Sequence, residues 1–217
     1  MATATRENWP SVLVGAATVL IVLCSALASR GGYLPAPKIQ PRGAAFGIAW
    51  FTIFAFSAAF AISPFLTNSA MPRINVHVLF AAALIVSSAW PFIRSRARTS
   101  LAVVAAAACL AAAAMLSTPS EVGWTYRVAT ELLAGWLVMA SLLSIILVGA
   151  TVFDTEMTLA AVGILVSLIA LGFKKPFFCL PAVLALAAQK RFSKEALIGL
   201  IALILNGGFA FFRTTLK

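Results

Sequence analysis

The sequence predicts an all-α integral membrane protein. A five-helix transmembrane bundle is expected over residues 1–153, and a C-terminal transmembrane extension of two or three helices over residues 154–217. Composition is the first observation: 62% of the residues are hydrophobic and only 10% are charged, with a mean hydropathy of +1.03. A soluble globule is about half apolar and about a quarter charged. The second is the length of the apolar runs, roughly 14 to 25 residues, which suits helices crossing a hydrocarbon core about 30 Å thick. The third is the lack of period-two alternation, which leaves helices as the structure that satisfies the backbone internally.

The N-terminal stretch MATATRENWPSVLVGAATVLIVLCSALAS has a basic residue followed by an apolar run. That run is longer than a typical signal-peptide core, so it reads as an uncleaved first helix over Ser11 to Ser29. The loop that follows holds Pro35, Pro37 and Pro41. Proline removes backbone donors and fixes local geometry, so this connection should have a definite shape and can serve as a lid. Helix two is expected over Ala44 to Leu66, a run without a charge, and helix three over Asn75 to Ile93. Helix four follows over Thr99 to Ser117. Its AVVAAAACLAAAAM core is made almost wholly of small residues, so it reads either as a central packing helix or as plain alanine bias. Helix five is expected over Val128 to Phe153.

Three further apolar runs follow: Glu156 to Phe173, Pro176 to Gln189 and Ala196 to Phe212. The middle one is short enough to be a tilted span, a re-entrant segment or an interfacial helix, giving seven or eight spans in all. Asn206, Gly207 and Gly208 inside the last run suggest a tight helix contact or, less readily, a broken transporter helix.

The formal charge of +10 falls in short clusters between apolar runs, such as Arg94, Arg96 and Arg98 or Lys190, Arg191 and Lys194. These read as topology signals and lipid-headgroup contacts rather than a nucleic-acid face. The basic loops after helices one and three should face the cytoplasm or its equivalent, with the N-terminus outside, although the acidic connection after helix five opposes this. Cys24, Cys109 and Cys179 lie inside apolar runs without metal-like spacing and read as small core residues.

Six acids and one histidine assemble no hydrolytic set, zinc motif or phosphate loop, so the chain is not expected to be an enzyme, and no metal site is expected. Glu131 stands one turn after Arg127, which suggests an interfacial ion pair or, more sharply, a proton relay. His77 reads as a polar anchor or as an axial ligand to haem or chlorophyll. Aromatic surface is abundant: Trp50, Phe54, Trp90, Trp124, Tyr126 and Trp136. Side chains of this kind can enclose a flat apolar ligand. Trp9, Trp90 and Trp124 lie at helix ends, where an interfacial belt is expected. Trp50 and Trp136 lie further inside and are pocket candidates.

The run Pro37, Gln40, Pro41, Phe46, Gly47 and Trp50 resembles the signature of the TspO/translocator proteins, tryptophan-rich sensory proteins once called peripheral benzodiazepine receptors. SSAWP at Ser87 to Pro91 is similar to that family's Asn-x-x-Trp-Ser, and Trp136, Ala140 and Ser144 are similar to its Trp-x-x-x-Ala-x-x-x-Asn. Ile39 stands in place of a loop tryptophan, Arg42 of a proline, Phe54 of a tyrosine, and Ser87 and Ser144 of asparagines. The segment after Asp154 resembles the C-terminal addition of longer tryptophan-rich relatives.

The resemblance implies a five-helix bundle with a pocket closed by the loop between helices one and two, holding a tetrapyrrole, a sterol or an aromatic amide. The expected ligand residues are Tyr33 and Pro41 in the lid, with Phe46, Trp50, Phe54, Trp90 and Trp136 lining the bundle. The expected function is non-catalytic binding or sensing of a flat hydrophobic ligand, with a porphyrin, haem or chlorophyll-type tetrapyrrole as the candidate cofactor. An alternative is a structural accessory subunit of a photosynthetic or respiratory complex, with Ala58, Ala59 and the helix-four alanines as contact surface, and a third is a small transporter. Expected partners are the lipid bilayer, the hydrophobic ligand, and other membrane subunits or a second copy. The expected location is a bacterial inner membrane or an organellar membrane.

Overall fold

A computed structural model describes residues 8–29, 43–67, 70–93, 97–148, 155–187 and 194–215. Its described secondary structure is entirely helical: α1 (Trp9–Ser29), α2 (Gly43–Leu66), α3 (Ile74–Ser88), α4 (Trp90–Ile93), α5 (Ala97–Leu116), α6 (Trp124–Val148), α7 (Thr155–Phe173), a 3-10 turn (Pro176–Cys179), α8 (Leu180–Ala187) and α9 (Lys194–Thr215). Five stretches are long and apolar enough to cross a membrane: Trp9–Leu27, Gly47–Leu66, Ile74–Ile93, Arg98–Leu116 and Trp124–Ile145. These are the five expected helices. The last begins four residues earlier than its expected start at Val128, because Gly123 leaves the preceding turn to accept Tyr126 N–H at 3.1 Å. Helix three is divided at Ala89. Pro91 has no N–H to continue the ladder, and the chain turns there before resuming as α4.

The five long helices close into a ring in the order α1, α2, α6, α5, α3, each packed on the next. Phe60 of α2 closes the interior at the end where α2 finishes and α3 and α6 begin. Its ring stacks on Phe80 at 4.8 Å and meets Tyr126 edge-on at 4.8 Å. Helix α5 packs Ala107, Ala111 and Ala114 fully buried against its neighbours, and small side chains let those backbones approach closely. The central helix is nevertheless α6, in which every residue from Val128 to Leu137 is buried. It is enclosed by the ring on one side and by the C-terminal segment on the other.

Helix α7 ends in a Schellman cap. Lys174 adopts φ 55°, Lys174 N–H reaches the Leu171 carbonyl at 3.3 Å, and Lys175 N–H reaches the Ala170 carbonyl at 2.9 Å. Pro176 then bars helical geometry at Lys175 and opens the 3-10 turn. Gly163 of α7 lies against Gly199 of α9, and Ser167 of α7 bonds Asn206 of α9, so these two helices run parallel. The chain must therefore return between them. The return starts through the 3-10 turn and α8, with Phe178, Ala182 and Leu186 buried against α6, α2 and α9. The short apolar run near Pro176 is thus an interior return segment rather than an interfacial helix. Helix α9 passes unbroken through Asn206 to Gly208, so that sequence marks a tight contact.

Of the three cysteines expected in the core, only Cys179 is buried; Cys24 is half-buried and Cys109 is exposed on the outer face of α5. The loops that carried the orientation argument, with Arg30, Lys38, Arg42, Arg94 and Arg96, lie outside the described residues.

Candidate functional site

Helix α2 carries Trp50 and Phe54 one turn apart, with ring centroids 5.2 Å from each other. Across the seam to α6, Trp136 meets Trp50 edge-on at 5.8 Å, a favoured aromatic geometry. Trp136 is buried and Trp50 half-buried. Ten residues further along α2 and ten residues back along α6, Phe60 and Tyr126 form the second aromatic layer with His77 and Phe80. At 1.5 Å per residue the two layers are about 15 Å apart along the bundle axis.

Several buried serine and threonine hydroxyls near these layers are spent on their own helices. Ser57 Oγ donates to the Ile53 carbonyl at 2.8 Å, Ser141 Oγ to Leu137 at 2.8 Å, and Thr130 Oγ1 to Tyr126 and Arg127 at 3.0 Å each. Ser87 and Ser144, which stand where the resemblance would place asparagines, donate to the Ala83 and Ala140 carbonyls at 2.7 Å each. Recognition at the Trp50–Trp136 seam would therefore rest on aromatic and aliphatic surface.

Of the seven expected ligand residues, Trp50, Phe54 and Trp136 come together. Trp90 lies on α4, which packs on α1, α3 and α5, across the ring from the α2–α6 seam. Phe46 is in the first turn of α2 with its side chain outside the described residues, and Tyr33 and Pro41 also lie outside them. Trp9 and Trp124 are exposed at helix starts, as expected of belt residues.

His77 is not an interfacial anchor. It is 1% exposed, with Phe60 at 5.0 Å and Tyr126 at 6.3 Å; Nδ1 lies 3.3 Å from the Arg73 carbonyl, and Nε2 is buried without a hydrogen-bond partner. Nor does Glu131 form the expected pair with Arg127. Its side chain is fully buried, and Oε2 instead accepts Phe177 N–H at 3.0 Å, 46 positions away. The backbones meet there because position 135, one turn on, is glycine and lets the Phe178 carbonyl approach.

Beside this junction Lys175 Nζ donates to the Thr118 carbonyl at 3.3 Å, and burial pushes its ammonium below the ordinary lysine range. At the exposed turn before α6, Ser120 Oγ donates to Glu121 Oε1 at 2.8 Å and holds that carboxyl below its ordinary value. Sequence reasoning missed Phe60, Phe80, Gly135 and Lys175; the Glu131-x-x-x-Gly135 spacing and the Lys-Lys-Pro run were the available signals. Among the described residues no group of three or more His, Cys, Asp or Glu side chains could hold a metal ion. No family model, curated protein or solved structure matches this chain, so the functional reading rests on its own residues.

Proposed function

We propose that this chain is a multi-pass membrane protein that binds a flat apolar ligand of tetrapyrrole or sterol type at the α2–α6 seam, without transforming it. The observation that carries the reading is the Trp50–Trp136 contact, with Phe54 beside it, in a bundle whose neighbouring hydroxyls are already bonded. A membrane setting is supported by the outward faces of the long helices, which expose Val12, Val19, Leu23, Phe51, Ile62 and Ile145. Such faces would be a liability in water and suit hydrocarbon. The sequence resemblance to the TspO/translocator family points to the same ligand class.

The test is tryptophan quenching by protoporphyrin in lipid nanodiscs. Saturable quenching that is weakened at least tenfold in Trp136→Leu and in Trp50→Leu supports the reading. Quenching with unchanged affinity in both variants overturns it.

The accessory-subunit reading has one specific observation behind it: Ala102, Ala106 and Cys109 form an exposed small-residue stripe on α5, the kind of surface on which another helix packs closely. Migration as a small particle in native gels of mild-detergent extracts counts against that reading. The transporter reading loses its support at Asn206 to Gly208, where α9 is continuous.

A further inference from the structure

Glu131 lies within the wholly buried stretch of α6, its side chain 0% exposed. One carboxyl oxygen, Oε2, accepts Phe177 N–H at 3.0 Å, and the other, Oε1, is buried without a hydrogen-bond partner. The charged groups acting on it are Lys175 from the turn and Arg127 from its own helix, and Cys179 is the further titratable group facing it from the turn. The turn after α5 contributes a carbonyl to this junction, that of Thr118, which holds the Lys175 ammonium. A carboxylate with one bare oxygen in such a place is strongly disfavoured unless it is neutralised or paired.

We propose that Glu131 is a proton-binding site inside the bundle, and that its proton determines where Lys175 anchors the C-terminal segment. With the proton on Oε1 the group is a neutral carboxylic acid whose carbonyl oxygen, Oε2, accepts Phe177 N–H, and Lys175 is left on the Thr118 carbonyl. That is the arrangement observed. When the O–H bond breaks and the proton leaves to water, the negative charge remains on the carboxylate. Lys175 lies two residues before Phe177 on a flexible four-carbon stem, and its ammonium then leaves Thr118 for Oε1. One proton thereby exchanges an anchor on the turn after α5 for an ion pair on α6. The turn that moves with it leads directly into α8, which packs on α2 and α6.

The experiment is infrared spectroscopy of the full chain in phosphatidylcholine nanodiscs across a pH series, following the carboxylic-acid C=O stretch. At neutral pH the wild-type protein is expected to show this band, shifted by uniform 13C-glutamate labelling and absent in Glu131→Gln, which keeps an acceptor for Phe177 N–H. Lack of an isotope-shifted acid band at neutral pH in the wild-type protein overturns the proposal, and that arm needs no variant to fold. In Lys175→Met the band is expected to persist to a pH about one unit higher or more, since the cation that receives the carboxylate is gone. A band that disappears at the same pH in wild type and Lys175→Met overturns the exchange of anchors.

Discussion

Gly135 of α6 lies directly under the peptide of Phe178: a Cβ at position 135 would collide with the Phe178 carbonyl oxygen and stand 2.9 Å from its carbonyl carbon. The atom it meets is backbone inside a buried turn, which cannot swing aside as a flexible side chain would. Gly135→Ala should therefore lift the 3-10 turn from α6. Overpacking of this kind costs about 1–3 kcal/mol. Gly172→Ala is the control, since nothing lies within 4 Å of its Cβ position. The expected result is a lower unfolding midpoint in detergent for Gly135→Ala and an unchanged or slightly higher one for Gly172→Ala.

Helices α7 and α9 should depend more on close approach than on their hydrogen bond. A Cβ on Gly163 would stand 2.7 Å from Gly199 Cα, whereas Asn206 Nδ2 donates to Ser167 Oγ at an ordinary 3.0 Å. Interhelical side-chain bonds in membranes average about 0.6 kcal/mol, because the unpaired groups find other partners. Gly163→Leu should accordingly separate the two helices and expose the C-terminal segment to protease, whereas Asn206→Ala should shift the unfolding midpoint only slightly. Equal effects would reverse this ranking.

Sequence patterning revealed the five long helices because each apolar run exceeds the length needed to cross a bilayer, and that signal is local. It also singled out Trp50 and Trp136, whose distance from the helix ends is local information too. The contact between Glu131 and Phe177 was not legible, because that partner lies 46 positions away and is a backbone N–H that leaves no residue-type signature. Arg127, at the favoured helical spacing, was the only partner that sequence could offer. Cys109 was assigned to the core because an apolar run does not reveal which face of an apolar helix turns outward. The parallel run of α7 and α9 follows from Gly163 meeting Gly199, a long-range pairing that alternating topology does not anticipate.

At the turn before α6, Ser120 is expected to make stability depend on acid pH. Its hydroxyl is the largest cause of the lowered Glu121 value, followed by the residue's own backbone. A carboxyl that binds fewer protons in the folded state contributes stability above its ordinary value of 4.5 and loses it as pH falls through the lower folded value. Ser120→Ala should flatten that part of the pH–stability curve by lowering the neutral-pH midpoint slightly and leaving the midpoint at acid pH, below the folded value, unchanged, a small effect that suits an exposed pair.

The opposite limb of the curve should report Lys175. Burial is the largest cause of its depressed value, opposed by the Glu131 charge and reinforced by Arg127. The folded state therefore releases this proton at lower pH than the unfolded chain does. In Glu131→Gln, which leaves the Lys175 ammonium no carboxylate to pair with, stability should rise with pH between the folded value and the ordinary value of 10.5, because the cost of burying the charge disappears there. Adding Lys175→Met, which keeps the stem and removes the charge, should abolish this alkaline rise. A rise that survives in the double variant would assign it to another group.

The Trp50–Trp136 contact should be measurable in the absence of any ligand. The rings meet at 70° with centroids 5.8 Å apart, and edge-to-face pairs contribute about 0.5–1.5 kcal/mol beyond the area they bury. A double-mutant cycle with Trp50→Leu, Trp136→Leu and the double variant, followed by unfolding in detergent, should return a coupling of that size. The single changes should differ: Trp136 is 7% exposed and leaves a cavity when shortened, whereas Trp50 is half-buried and its site is partly open. Trp50 also packs against Phe54, tilted, at 5.2 Å, so Phe54→Leu should loosen the Trp50 ring and reduce the Trp50–Trp136 coupling without touching Trp136. Coupling indistinguishable from zero would mean that the two rings act as separate packing residues, and it would remove the aromatic platform on which a flat ligand at this seam depends.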